Sequence, residues 1–148
     1  MAAGDGGGVT ALEIEVRSTE LDALGHVNNA KFLEYFEWAR FEWVKEHGIG
    51  LDFFGRSRLS TVLVNVNVNY RREARLGDRL RVRSWLAGIG TRSFRVGQDI
   101  LSAAGEIVAD AVITSVMFDT HTRAAVPIPD DLRRTLEPLV RADLSPHA

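Results

Sequence analysis

One acidic residue stands just ahead of a predicted helix start and could do chemistry there. Asp22 opens the segment Asp22-Ala23-Leu24-Gly25-His26-Val27-Asn28-Asn29. A helix start carries free N–H groups and the positive end of the helix dipole, so it can polarise a carbonyl or hold an oxyanion. A carboxylate a few residues upstream could attack that carbonyl or deprotonate a water molecule beside it. The alternative is that Asp22 is an ordinary loop residue and that the asparagines only cap the helix.

A long amphipathic helix must position this carboxylate. Gly25 can turn the chain tightly, Asn28 or Asn29 can cap the helix, and residues 30–46 contain neither Pro nor Gly. At about 100° per residue, one broad arc of the helix is apolar and is expected to pack against a sheet. That arc consists of Phe32, Leu33, Tyr35, Phe36, Ala39, Trp43 and Val44.

The remaining elements indicate an α+β fold. Alternating apolar and polar residues predict strands over 9–18, 61–71, 79–86, 93–101 and 107–119. A short helix is expected over 132–140, capped by Asp130 or Asp131. A strand, a long helix and then four antiparallel strands favour a five-stranded antiparallel sheet wrapped around one long central helix. The segment 48–60 is interpreted as a loop with a hydrophobic plug formed by Leu51, Phe53 and Phe54.

Two features predict a second copy of the chain. The strand over 61–71 is expected at an edge of the sheet, where it could pair with its own copy in a two-fold dimer. Its two predicted faces are Val62, Val64, Val66, Val68 and Tyr70 against Leu63, Asn65, Asn67 and Asn69. The asparagines could bind a polar ligand or a partner, or could simply face water. Trp38 and Phe41 project from the charged side of the helix, where a partner subunit or a ligand tail could cover them; the alternative is that they are singly exposed aromatics.

Length and composition narrow the class of protein. The chain has 148 residues and is expected to be one domain over 9–140, with a disordered tail over 1–8 and a second tail over 141–148. The absence of cysteine excludes disulfides and thiolate metal sites, and fits a cytoplasmic protein. The net charge of −2 gives no reason to expect nucleic acid, and no apolar run is long enough to span a membrane. The histidines are scattered, so no metal site is expected.

Several segments resemble one enzyme family. The order of elements, with Asp-x-x-Gly-His-Val-Asn-Asn opening the helix, resembles the hotdog-fold thioesterases of the 4-hydroxybenzoyl-CoA thioesterase type. Three further segments resemble the FadM-type long-chain acyl-CoA thioesterases, and the resemblance covers about residues 10–138. These segments are Ala30-Lys31-Phe32-Leu33-Glu34-Tyr35, the run from Val64 to Arg72, and Ala109-Asp110-Ala111-Val112-Ile113-Thr114.

The resemblance implies a hotdog-fold hydrolase of long-chain acyl-CoA thioesters that yields a free fatty acid and CoA. It implies that Asp22 acts as general base or nucleophile. The backbone N–H near Asn29 would then polarise the carbonyl, with His26 in support and Asn28 as the cap. No metal or cofactor is implied, because CoA is part of the substrate.

The resemblance also implies a substrate site between subunits of a homodimer or homotetramer. Arg71, Arg72 and Arg92 are the candidates for holding CoA phosphates, with solvated surface charge as the alternative. Tyr35 could line the acyl chain, or could belong to the core. Asn28 and Asn65 are further candidates for binding the substrate.

Four alternatives remain open. A hotdog hydratase or dehydratase would pair a carboxylate with a histidine, and Asp22 and His26 stand four residues apart. A non-catalytic acyl-CoA-binding dimer would not require Asp22. An acyl carrier protein could replace CoA in the substrate. If Asp22 proved dispensable, Glu34 or Glu37 would become the candidate attacking carboxylate.

Overall fold

Five long strands form one antiparallel sheet in the order β1-β3-β4-β5-β2 in the computed structural model, which describes residues 7–49 and 58–144. A short strand, β6, pairs with the end of β5, and 3₁₀ turns lie at Ser18–Glu20 and Glu137–Leu139. The elements are β1 (Val9–Glu15), α1 (Asn29–Glu46), β2 (Leu59–Tyr70), β3 (Arg79–Ile89), β4 (Ser93–Leu101), β5 (Ile107–Asp119), β6 (Ala124–Ala125) and α2 (Asp130–Leu136).

The long helix α1 packs on one face of this sheet, against β1 and β3. Its apolar arc is buried as predicted by the 3.6-residue period, except that Val44 is half-buried and Leu33 is 41% exposed. The arc reaches two apolar clusters. The cluster nearer the helix start includes Phe32, Tyr35, Phe36 and Ala39, and the cluster nearer the helix end includes Trp43.

A bulge interrupts the edge strand β2. Its pairing with β5 shifts register between Leu63 and Asn65, which leaves Val64 as an extra residue. Side chains on the two sides of a bulge change face relative to simple alternation. The prediction that Val62 shares a face with Val66 is therefore wrong, and Leu63 shares that face instead.

The middle of β2 is exposed on both faces. Residues 61–67 all face solvent, and among the described residues the strand pairs only with β5. The apolar side chains in this stretch are 38–54% exposed. An edge strand with unpaired backbone groups and apolar side chains on both faces is a surface suited to pairing with another chain.

The C-terminal elements differ in detail from the prediction. Helix α2 begins after Pro129, which offers no side-chain cap, and Asp130 and Asp131 lie in the first turn. The prediction that one of these aspartates caps the helix is therefore wrong, because both carboxylates sit inside a helix start whose dipole they complement. The chain then continues along β3, where the Trp85 indole N–H donates to the carbonyl of Leu144 (2.7 Å).

Three predicted features lie partly or wholly outside the described residues. The loop plug formed by Leu51, Phe53 and Phe54 falls in the undescribed segment 50–57. The tail over 1–8 is described only from residue 7, and the tail over 141–148 only as far as residue 144. The predicted domain boundaries stay predictions.

Candidate active site

A tight turn fixes the carboxylate of Asp22. Its Oδ1 accepts hydrogen bonds from the backbone N–H groups of Leu24 (2.9 Å) and His26 (3.1 Å). The turn closes through the Gly25 N–H, which donates to the Asp22 carbonyl (3.1 Å), and Gly25 adopts a φ of +81° that favours glycine. Within the described residues Oδ2 accepts no hydrogen bond, so one carboxylate oxygen is left for chemistry.

The start of α1 keeps one backbone N–H open. Asn28 is the cap: its side-chain oxygen accepts from the Ala30 N–H (2.8 Å), and its carbonyl accepts from Lys31 and Phe32. The N–H of Asn29, the first residue of the helix, has no acceptor in residues 7–49 and 58–144. An open N–H at the positive end of the helix dipole can polarise a bound carbonyl.

The Asp22 turn and the helix start meet at one surface cavity. Its volume is about 320 Å³. The end of β2 and the residues that follow it form the opposite wall. The lining residues are Asp22, His26, Val27, Asn29, Phe32, Tyr70, Arg71, Arg72 and Glu73. Two carboxylate residues, two arginines, an apolar ring and the residue with the open N–H therefore line the same space.

The His26 ring binds a carboxylate other than that of Asp22. Its Nε2 lies 2.6 Å from Glu73, whereas His26 donates to the Asp22 carboxylate through its backbone N–H. The pKa of Glu73 is lowered, first by its hydrogen bond from Arg75 and in smaller part by His26. His26 is expected from the sequence to support Asp22. In the structure the histidine backbone makes that contact, and the ring pairs with Glu73 instead.

The three candidate arginines fall in different places. Arg71 and Arg72 line the cavity, and each already binds a carboxylate. Arg71 donates to Asp110, which is fully buried, and the Arg72 Nε lies 2.8 Å from Glu106. Arg92 lies in the turn between β3 and β4, outside the cavity lining.

Two candidate substrate residues lie away from the cavity. Asn65 is exposed on β2, opposite Thr114. Tyr35 is fully buried, and its hydroxyl donates to the buried carboxylate of Glu20 (2.8 Å). Burial raises the pKa of Tyr35, and the hydrogen bond to Glu20 and the charge of that carboxylate raise it further. Since the Glu20 carbonyl also accepts from the Asn28 N–H (2.9 Å), Tyr35 and Glu20 join the Asp22 segment to the helix start.

The structure adds Tyr70 and Glu73 to the residues expected from sequence. Tyr70 is the last residue of β2, and Glu73 lies in the polar segment after it. An acidic residue beside two arginines just after a strand was the available signal for Glu73. Tyr70 gave no local signal, because its contacts with the helix join parts of the chain that are distant in sequence.

The described residues contain neither a metal-binding group of side chains nor a membrane-spanning helix. In residues 7–49 and 58–144, no three His, Cys, Asp or Glu side chains are grouped so that they could hold a metal ion. No helix in this part of the chain is both long and apolar enough to cross a membrane. Glu34 pairs with Lys31 (2.8 Å), and neither it nor Glu37 lines the cavity.

Comparison with known proteins identifies the family. Residues 16–136 match the Thioesterase-like superfamily. Over 130 residues the chain is 38% identical to the long-chain acyl-CoA thioesterase FadM of Escherichia coli strain K12, covering 87% of this chain and 98% of FadM. It is 27% identical over 133 residues to the acyl-acyl carrier protein thioesterase ATL3 of Arabidopsis thaliana, covering 89% of this chain and 70% of ATL3.

A solved structure agrees with this match. The crystal structure of YbaW, a probable thioesterase from Escherichia coli, superposes with a TM-score of 0.80 at 36% identity, covering 88% of this chain and 98% of YbaW. The predicted α+β hotdog architecture and the predicted family are therefore confirmed. With an antiparallel sheet, a long helix and a carboxylate at the helix start, the chain belongs to the Thioesterase-like superfamily.

Proposed function

We propose that this protein hydrolyses the thioester of long-chain acyl-CoA, giving a free fatty acid and CoA. One observation carries the proposal: Asp22, whose carboxylate is fixed by its turn, and Asn29, whose N–H is open, line the same cavity. The identity of 38% to FadM, over 98% of that enzyme, supports acyl-CoA as the substrate and a long acyl chain as the preference.

The residues of the cavity fit two routes for hydrolysis. The thioester carbonyl accepts a hydrogen bond from the Asn29 N–H, which stabilises the negative charge that develops on its oxygen. The Asp22 carboxylate either takes a proton from the attacking water or attacks the carbonyl carbon itself. In the general-base route, the water oxygen bonds to the carbonyl carbon, the carbon–sulfur bond breaks, and the CoA thiolate leaves and takes up the proton. In the nucleophilic route, the carbon–sulfur bond breaks as a mixed anhydride forms with Asp22. Water then cleaves this anhydride, which gives the free fatty acid, a proton for the thiolate and the regenerated Asp22 carboxylate.

The charged wall of the cavity fits the phosphate-bearing part of the substrate. Arg71 and Arg72 are held by Asp110 and Glu106 at the cavity. A guanidinium has five donors, so each arginine can contact a phosphate oxygen and keep its carboxylate partner. Arg92 and Asn65 would need an extended substrate to be reached. The roles of these four residues in binding stay predictions.

We also propose that the working unit is a homodimer, with a tetramer as a further possibility. The exposed apolar residues of β2 support pairing with a second copy, and so does its outer edge, which pairs with no strand in residues 7–49 and 58–144. Trp38 and Phe41, which are 43% and 59% exposed, support it as well. Light scattering at micromolar concentration should give at least twice the chain mass. A monomer there would contradict the shared-site assembly. Cytoplasmic location is proposed as well, and cell fractionation tests it.

Release of free thiol from acyl-CoA tests the proposed activity. The purified protein should release CoA from a series of saturated acyl-CoA substrates, with kcat/KM highest for long chains. The highest kcat/KM for an aromatic acyl-CoA would make the chain-length assignment wrong while leaving a thioesterase. Turnover of enoyl-CoA without thiol release would instead favour the hydratase alternative, and no turnover at all would favour a binding protein.

A second substrate carrier follows from one of the relatives. The match to ATL3, an acyl-acyl carrier protein thioesterase, makes acyl carrier protein the alternative to CoA. The same acyl group presented on CoA and on acyl carrier protein separates the two. We expect the larger kcat/KM with CoA, because two arginines at the cavity suit the phosphates of the free nucleotide.

A further inference from the structure

We infer that Tyr70 is a positioning residue for the helix start that polarises the thioester, an inference that rests on the proposed function. Its hydroxyl donates to the backbone carbonyl of Asn29 (3.1 Å), and its side chain lines the cavity. Asn29 is also the residue whose N–H is open. This hydroxyl therefore ties the last residue of β2 to the first residue of α1.

Two contacts from Tyr70 hold the same turn of the helix. In helical geometry the Asn29 carbonyl accepts an N–H from one turn further on, and its second lone pair is available to the Tyr70 hydroxyl. The Tyr70 ring lies 5.7 Å from the Phe32 ring, measured between centroids. One polar and one apolar contact thus set the first turn of α1 against the end of β2.

The end of β2 is a firm support for these contacts. Tyr70 pairs with Ala109, which is fully buried in β5. The next two backbone N–H groups, those of Arg71 and Arg72, donate to the Val108 carbonyl (2.9 and 3.0 Å). Tyr70 therefore fixes the helix start relative to the strand end that carries the two cavity arginines.

The Tyr70 hydroxyl contacts the Asn29 backbone carbonyl. The groups proposed to contact the reacting atoms are the Asp22 carboxylate and the Asn29 N–H. Partial burial raises the pKa of Tyr70, so the hydroxyl keeps its proton and remains a donor at neutral pH. Removing the hydroxyl should disturb the alignment of the helix start in the transition state. It should not remove a contact with the bound CoA.

Tyr70→Phe removes only this hydroxyl. We expect kcat for a long-chain acyl-CoA to fall about three- to tenfold, as the loss of one hydrogen bond implies, with KM and the Kd of CoA unchanged. Thr120→Val is the matched control, because its hydroxyl also donates to a backbone carbonyl, that of Arg58 (2.7 Å), near the other end of β2. The control should keep the wild-type kcat.

Amide hydrogen exchange tests the same inference without turnover. The amides in the first turn of α1 should exchange several-fold faster in Tyr70→Phe than in wild type or Thr120→Val. Wild-type exchange in this turn, or a wild-type kcat, would overturn the positioning role of Tyr70. A wild-type protein that releases no CoA would refute the proposed function instead, and the exchange result would still decide the role of Tyr70.

Discussion

The two ends of α1 differ in how their backbone groups are hydrogen-bonded. At the C-terminal end, the N–H groups of His47, Gly48 and Ile49 return to the carbonyls of the last turn, and the His47 ring lies 2.8 Å from the Trp43 carbonyl. Gly48 has a φ of +72°, which lets the chain turn back at this point. Lys45 adds a positive charge where the helix dipole is negative.

The N-terminal end leaves a donor unused. Asn28 caps the Ala30 N–H, no acidic residue lies in the first turn, and within the described residues the Asn29 N–H has no acceptor. This end faces the cavity with Asp22, whereas Trp43 at the other end is buried and its indole N–H donates to the Gly8 carbonyl (2.9 Å). We therefore infer that the C-terminal end serves folding, whereas the N-terminal end leaves its positive potential beside the cavity.

The largest effect is expected from Asp22→Asn. This change keeps the size of the side chain and removes the charge, so kcat should fall about 10²–10⁴-fold, the range for loss of a general base. KM should change little, because the Asn29 N–H and the arginines remain. Urea unfolding should give a free energy of unfolding within about 0.5 kcal/mol of wild type.

More than about a tenth of the wild-type kcat in Asp22→Asn would lie far above that range and show that this carboxylate is not the catalyst. Glu34→Gln and Glu37→Gln would then be measured. These helix carboxylates lie outside the cavity lining, so both variants are expected to keep their activity while Asp22 is intact.

Trp43→Ala should act on folding at the other end of α1. Trp43 is 4% exposed, and truncating a buried Trp costs about 3–5 kcal/mol. Urea unfolding measures the loss, and the kcat of the folded fraction should stay close to wild type. Leu33→Ala is the control on the same helix, because Leu33 is 41% exposed and is not among the residues proposed to contact a second copy. Equal losses of unfolding free energy in the two variants would contradict the conclusion that the C-terminal end of α1 stabilises the fold.

Asn29→Pro removes the open N–H itself. Proline is tolerated at the first position of a helix, and Asn28, with φ −61° and ψ 139°, already has the extended conformation that suits a residue before proline. Loss of one oxyanion donor should lower kcat about 10²–10³-fold. Asn29→Ala keeps the N–H and should remain close to wild type, so similar kcat values for the two variants would exclude the backbone donor.

The smallest effect is expected from His26→Ala. The imidazole pairs with Glu73 at the cavity wall, and only the backbone of His26 holds Asp22, which alanine retains. Losing one such contact should lower kcat about fivefold or less. A loss of kcat as large as that of Asp22→Asn would instead show that the imidazole takes part in the reaction. It would then favour the hydratase alternative, in which Asp22 and His26 act as a pair.

Local patterns in the sequence predicted most of the fold. The helix start was predicted at residue 30 and lies at Asn29, and the predicted strand over 93–101 matches β4. Asn28, one of two predicted caps, does cap the helix. These features depend on neighbouring residues, which the periodicity of 3.6 or 2 and the capping preferences describe well.

The features that the sequence did not predict depend on distant residues. The bulge at Val64 exists only in the pairing with β5. Tyr70 reaches Asn29 across 41 positions of the chain, and the Tyr35 hydroxyl meets Glu20 across 15. No local pattern encodes such partners, so the carboxylate and the helix start of the site could be predicted, whereas the contacts that hold them together could not.

The proposed hydrogen bond from the Asn29 N–H to the thioester carbonyl is tested most directly by the amide resonance of Asn29 in the presence of a substrate analogue. The analogue is a long-chain acyl-CoA in which a methylene replaces the thioester sulfur, so the carbonyl remains and cannot be hydrolysed. On titration, the Asn29 amide proton should shift downfield as it binds the carbonyl, while the amides of His47 and Gly48 stay unchanged. An unchanged Asn29 resonance at saturating analogue would contradict the claim that the open end of α1 receives the thioester.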